Sequence, residues 1–261
     1  DLPSTELHFD EALEASSQLA EEIIDQGCDN PELIDCQIVL SNTYNSDHNS
    51  TEQSITLNAK LPVKVTHSGV QLVFYRSSTA KPKDLFTLYL HHLTLQVWQQ
   101  QNSKLMHDDS SSSYLLGLVE QTRGFYFNTK AQKVEQYSVS NDSAEEAKAE
   151  LERLLIIYSK GQKQVLMLNG DLAAQVFKES RGKRVELTQE GFEKFWQDSP
   201  MPTGTIPGFG SDAYIHYFWP QCPDIDSLAP EIESVYQGLY RCVIKEKSNK
   251  NTVKVTPGAS R

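Results

Sequence analysis

Residues 53–65 alternate strictly. Ile55, Leu57, Ala59, Leu61, Val63 and Val65 fall on one face, and Ser54, Thr56, Asn58, Lys60 and Lys64 on the other. A period of two predicts a half-buried strand. His67-Ser-Gly69 reads as a hairpin turn, and Val70–Tyr75 as the return strand. Upstream, Phe9, Ala12, Leu13, Ser16, Leu19, Ala20, Ile23 and Ile24 recur at helical spacing, which predicts a helix over 9–26 ended by Gly27. Asn30-Pro31 marks a turn and Cys36–Leu40 a short apolar strand. The Asn-, Ser-, Thr- and Asp-rich stretch 41–52 reads as a loop.

Downstream of the hairpin, Pro82 opens a predicted helix over 83–101. Its apolar residues, Leu85 to Val97, lie all round, so it is covered on more than one side. A polar loop (102–113) leads to a second hairpin, Tyr114–Glu120 and Gly124–Asn128, turning at Thr122-Arg-Gly. Ser143 with Glu146 forms a capping box for a helix that Gly161 ends. Val165–Leu168 reads as a buried strand, followed by helices over 171–179 and 189–197. The stretch 198–210 holds three Pro and three Gly and reads as a loop or hinge. An aromatic helix follows (Tyr214, Tyr217, Phe218, Trp219), then a last helix over 228–243 and a basic tail. No internal repeat is visible.

The fold class is therefore α/β (α+β), an αβββαβ core with a mostly helical C-terminal extension. The predicted division is a core over 1–130, a helical extension over 131–245 and a tail over 246–261. The 261 residues suffice for a sizeable core. At 38% apolar and 9% aromatic content the chain is not wholly disordered, and no apolar run reaches a membrane span. It starts at Asp1 without a charged-then-apolar leader, and is read as a piece of a longer protein.

The net charge of −11 is unevenly spread. Residues 1–52 hold thirteen acids and no Lys or Arg, so the rest of the chain carries +2. Residues 53–83 contain no acid but five cations: Lys60, Lys64, Arg76, Lys81 and Lys83. An acid-free basic stretch can attract DNA phosphate, so these five are the candidate DNA-binding residues. The bland alternative is a solvated strand face. The four cysteines (28, 36, 222, 242) have no zinc spacing and read as core residues of a reducing, cytoplasmic protein. Cys28 and Cys36 could bridge in an oxidising compartment. The sequons at Asn49 and Asn141 carry no weight without secretion.

Common catalytic motifs are absent: no phosphate-binding G-x-x-x-x-G-K-[ST], no G-x-S-x-G, no H-E-x-x-H. Gly208-Phe-Gly210 precedes no dinucleotide unit. His91 and His92 are neighbours on a helix and cannot share a face as metal ligands do. Asp108-Asp109 and Asp224/Asp226 lack the partners a hard cation needs. No cofactor or metal site is expected.

The αβββαβ order resembles that of the PD-(D/E)xK nucleases, where the hairpin's first strand supplies an Asp and the second an Asp/Glu-x-Lys that hold and assist a magnesium ion. Here the first-strand place falls at Leu61 or Pro62. In the second-strand triplet, Phe74 stands at the carboxylate and Arg76 at the lysine. Within that frame, the Lys60-Leu-Pro62 step, Val73-Phe-Tyr-Arg76 leading to Leu85–Val97, and Gly208-Phe-Gly-Ser-Asp-Ala-Tyr214-Ile-His-Tyr217-Phe-Trp219 resemble the C-terminal nuclease-like domain of RecC. RecC is the gamma subunit of RecBCD (exodeoxyribonuclease V). The likeness is collinear from about residue 8 to 245. Phe209 and Ser211 depart from the family's acid-rich Gly-Glu-Gly-Asp-Asp stretch.

The resemblance implies a domain that cuts nothing within a bacterial helicase–nuclease of recombinational double-strand-break repair. RecC scaffolds RecB and RecD, splits the duplex and threads the 3′-ended strand through the channel where Chi is sensed. The implied partners are RecB, RecD and DNA at the fork and single strand. Tyr214, Tyr217 and Trp219 are the candidate partner-binding residues, against a bland core role. Two other readings are an active magnesium-dependent nuclease with carboxylates displaced to Glu21, Glu22 or Glu120, and an unrelated protein-binding α/β domain.

Overall fold

Alternation, capping and one proline account for most of the architecture. The computed structural model describes residues 3–46, 49–66, 69–103, 119–140, 143–180, 183–202 and 204–246. A first helix, α1 (Pro3–Asp25), precedes a long antiparallel ribbon of β1 (Glu32–Ser46) and β2 (Asn49–Val65). β3 (Val70–Arg76) returns along β2, α2 (Pro82–Ser103) crosses over, and β4 (Val119–Asn128) lies parallel to β3. A hairpin adds β5 (Lys133–Val139). The remaining helices are α3 (Ala144–Gly161), α4 (Gly170–Val176), α5 (Gln189–Trp196), α6 (Ala213–Phe218) and α7 (Ile225–Cys242). A last strand, β10 (Val243–Lys245), joins β5. The six-stranded order is β1-β2-β3-β4-β5-β10. Two short hairpins, β6 (Glu179–Ser180) with β7 (Lys183–Arg184) and β8 (Ser199–Met201) with β9 (Gly204–Ile206), decorate the helical part.

The expected αβββαβ order is present and the chain is mixed α and β. Several expectations are corrected. Residues 41–46 and 49–52 continue the ribbon instead of forming a loop, with Ser41 opposite Ser54 and Thr43 opposite Glu52. Main-chain bonds hold a two-stranded ribbon without apolar alternation, so its polar composition was no bar. Thr122-Arg-Gly is the middle of β4, not a turn. Gly124 sits there because Leu88 presses on the strand: a Cβ would lie 2.9 Å from its Cδ2 and 2.7 Å from Tyr126 Cε2. The hairpin turn instead follows Asn128, whose side chain accepts from the N–H groups of Lys130 and Ala131. Val165–Leu168 is an extended connector, not a strand. Residues 198–210 form the β8–β9 hairpin where a loop was expected. β5 pairs with β4 on one side and with β10 on the other. Most of the second-hairpin strand 114–120, Asp108-Asp109, His67 and the tail from 247 lie outside the described residues.

Pro62 has a specific effect. It pairs with Leu33 across the ribbon, and the β2–β3 ladder ends one residue away, at Val63 opposite Leu72. A proline has no N–H for the next rung. Beyond that point the β1–β2 ribbon leaves the sheet.

The core lies on both faces. On one, α2, α3 and α7 pack over Ile38, Leu40, Leu61, Val63 and Leu72. α2 is buried nearly all round, as its apolar pattern requires. Its His92 is buried, with Nδ1 2.7 Å from Thr122 Oγ1 in β4. On the other face, Leu19 and Ile23 of α1 cover Cys28, Val73 and Phe125. Cys28 and Cys36 therefore belong to clusters on opposite sides of the sheet, and both are free thiols. At the far edge, Glu135 binds Lys245 at 2.7 Å and tethers β10. Burial alone would push the Glu135 carboxyl up. Hydrogen bonds from Lys245 and Asn128 outweigh that and hold it below the usual range.

Candidate functional site

The hairpin brings the expected positions together. Val63 pairs with Leu72, and Leu61 and Phe74, each two residues further along its strand, meet in one apolar cluster. By strand alternation, Leu61, Phe74 and Arg76 share the face under α2, while Pro62 turns to the other. Leu61 is fully buried beside Cys36, Val63, Leu72 and Leu95, and Phe74 packs against the same cluster. The Phe74 ring also meets His91 of α2, with centroids 4.9 Å apart. Burial holds the His91 pKa below its ordinary value. Cys36, in the Leu61 cluster, has its thiol pushed up to about 12, by burial first and then by Asp35. This neighbourhood disfavours negative charge.

Arg76 is exposed but paired. Its guanidinium binds Asp84 at 2.6 Å, and Asp84 also accepts the Lys81 N–H at 2.9 Å. Sequence reasoning missed Asp84 because it lies one residue past the acid-free stretch, in the first turn of α2. It is the acid held at Arg76, and the guanidinium neutralises it. A magnesium ion needs a near-octahedral oxygen shell, usually anchored by a carboxylate free to bind it. A buried Leu, a Phe and an Arg–Asp pair do not fit one. Among the described residues, no three His, Cys, Asp or Glu side chains group together as a metal site. Glu21 and Glu22 lie on α1, across the sheet from this hairpin face, and Glu22 accepts a hydrogen bond from Gln26. The Glu120 side chain lies outside the described residues.

The five cations separate into two groups. Lys60 and Lys64 share the face of β2 opposite Leu61; Lys60 lies 3.7 Å from Asp35 and Lys64 3.4 Å from Asp29. Arg76, Lys81 and Lys83 gather around the start of α2, where both lysines are exposed and have no acid partner among the described residues. The sequence places all five in one run, but the fold puts them on different faces and ends of the sheet.

The aromatic helix is built on a firm support. Asp198 accepts from the Gly208 N–H at 2.8 Å and from the Ser211 hydroxyl, which fixes both ends of the β8–β9 hairpin. Those two bonds, Ser211 first, hold its carboxyl below the usual range. Phe209 stacks on Phe195 and meets Trp196 edge-to-face. Asp212 then caps α6 through the Tyr214 and Ile215 N–H groups. Ile215 and Trp219, four residues apart, pack inward on the core. Tyr214 and Tyr217 point out, at 82% and 79% exposure, and the Tyr217 ring meets the exposed Phe218 edge-on. The core-packing expectation therefore holds for Trp219 and fails for the two tyrosines.

No helix among the described residues is long and apolar enough to cross a membrane. A family model described as the RecC C-terminal domain matches residues 3–181, more than half of the chain. The Gly208–Trp219 segment lies beyond the matched span. No curated protein matches the chain.

Proposed function

Because the chain belongs to the RecC C-terminal domain family, we propose that it is a non-catalytic scaffold and DNA-channel domain of a RecBCD-type helicase–nuclease in recombinational repair of double-strand breaks. One observation carries the non-catalytic reading. The three positions that would seat and assist a metal on this hairpin hold a buried Leu61, a Phe74 packed on His91, and an Arg76 tied to Asp84. Phosphodiester hydrolysis at such a hairpin draws its water activation and charge neutralisation from the ion, and these side chains offer neither.

DNA contact falls to the cations. Lys81 and Lys83 at the α2 start form the better phosphate surface, because Lys60, Lys64 and Arg76 each face an acid. Contacts of this kind position a strand without reading its sequence. The partners in this reading are RecB and RecD. The surface of Tyr214 and Tyr217, set on Trp219, suits a protein and not DNA. From residue 195 to 240 there are six acids and no Lys or Arg, and exposed aromatics are enriched at protein interfaces. On this view the 1–130 core carries the inert hairpin and the DNA cations, and the 131–245 extension carries the docking surface.

The double variant Tyr214→Ala/Tyr217→Ala tests the scaffold reading. Both side chains are solvent-exposed, so the melting temperature stays within about 2 °C of the parent. Two aromatic anchors lost from an interface weaken it by roughly 2 kcal/mol or more, about thirty-fold. Co-expressed with its partner subunits, the variant is expected to lose RecD in affinity purification. Full recovery of the complex would contradict the reading.

A further inference from the structure

α1 carries more apolar surface than the sheet covers. Ala15, Leu19 and Ile23 recur every four residues and are buried. At about 100° per residue, a second row of Phe9, Leu13, Ala20 and Ile24 runs beside them, roughly a third of a turn away. All four are exposed, Phe9 at 66%, Leu13 at 56% and Ile24 at 61%. The row is about 22 Å long at 1.5 Å per residue. Single exposed apolar residues are ordinary, but a continuous helical row is not, since a surface helix normally keeps one apolar stripe toward its core.

The rest of the helix indicates what covers this row. Asp10, Glu14, Glu21 and Asp25 border it and are exposed. They belong to an N-terminal stretch of thirteen acids without one Lys or Arg. We propose that the second row of α1 is a docking seam for another protein's apolar ridge flanked by Lys and Arg. Apolar area supplies the contact, and the acidic border selects and steers a cationic partner. A second copy of this chain would oppose the four border acids with the same four, and nucleic acid would oppose them with phosphate, so both are disfavoured. The seam rests on the chain's place in a multi-subunit assembly but not on the tyrosine surface, from which it differs in every residue.

A photo-crosslinker tests it. p-Benzoylphenylalanine replaces Leu13 in the full chain, co-expressed with RecB and RecD subunits, with the same probe at Glu11, exposed on the opposite side of α1, as control. Light is expected to join position 13, and not position 11, to a peptide of another subunit in which apolar residues are flanked by at least two Lys or Arg. Leu13→Ser is expected to leave the melting temperature of the isolated chain unchanged. It should weaken subunit retention about tenfold, increasingly so as salt rises. A crosslink within this chain or to a second copy would overturn the seam, as would a fall in melting temperature of several degrees. An intact complex without the position-13 crosslink also overturns it, and leaves the scaffold reading standing. Loss of RecD from the Tyr214/Tyr217 variant, with the position-13 crosslink to the remaining subunit retained, supports both.

Discussion

Leu61→Asp is expected to unfold the chain, not to restore a metal site. Leu61 is fully buried among Cys36, Val63, Leu72 and Leu95. Removing its side chain from a packed core costs about 2–5 kcal/mol. A carboxylate in its place must either ionise without water or bind a proton, and each adds a further penalty. Cys36 nearby already reports the local bias, its thiol being pushed up to about 12. The sum is about 5 kcal/mol or more, comparable to the whole stability of many domains. Leu61→Met, which conserves volume, should cost less than about 1.5 kcal/mol. Urea unfolding of the two variants checks the difference. A folded Leu61→Asp protein that gains stability on adding magnesium would refute the argument.

The second large effect is expected at Gly238. It lies on α7 where that helix crosses Tyr89 of α2 and Glu150 of α3. A Cβ there would fall inside the van der Waals shell of Tyr89 Oη, 2.7 Å from Glu150 Oε1. Neither neighbour can retreat easily. Tyr89 is fully buried, and Glu150 is held by Arg153, whose guanidinium also reaches the Ser234 carbonyl on α7. Replacing a helical glycine normally gains up to about 1 kcal/mol, but forced overpacking costs about 1–3 kcal/mol. Because valine adds two more carbons at the same point, Gly238→Val should lose about 2–3 kcal/mol net. Gly161→Ala is the matched control. Its Cβ would meet nothing nearer than Leu166 at 3.6 Å, so thermal unfolding should show little change or a small gain.

What the sequence revealed follows from where burial is one-sided. β2, α2, α3 and α7 were legible because a core face imposes its period on the residues. The capping box at Ser143 and Glu146 is present with both of its hydrogen bonds. The outer ribbon was hidden: residues 41–46 and 49–52 carry no apolar alternation, and strand pairing through the main chain leaves no such pattern in the sequence. β5 was missed because Val134, Tyr137 and Val139 share no single period-two face. Thr122-Arg-Gly misled because glycine serves close helix–strand contact as readily as turns. At the site, the substitutions at 61, 74 and 76 could be read directly. The Asp84 partner, the separation of the five cations and the inward turn of Trp219 are three-dimensional facts. None leaves a local signal in the chain.

The central claim is that the β2–β3 hairpin holds no divalent ion. Manganese is a paramagnetic stand-in for magnesium and broadens NMR signals close to where it binds. Titrating Mn²⁺ into methyl-labelled protein is expected to leave the Leu61, Val63, Leu72 and Val73 methyl signals as sharp as those of Leu239, buried on α7. Selective, saturable broadening centred on Leu61 would contradict the account.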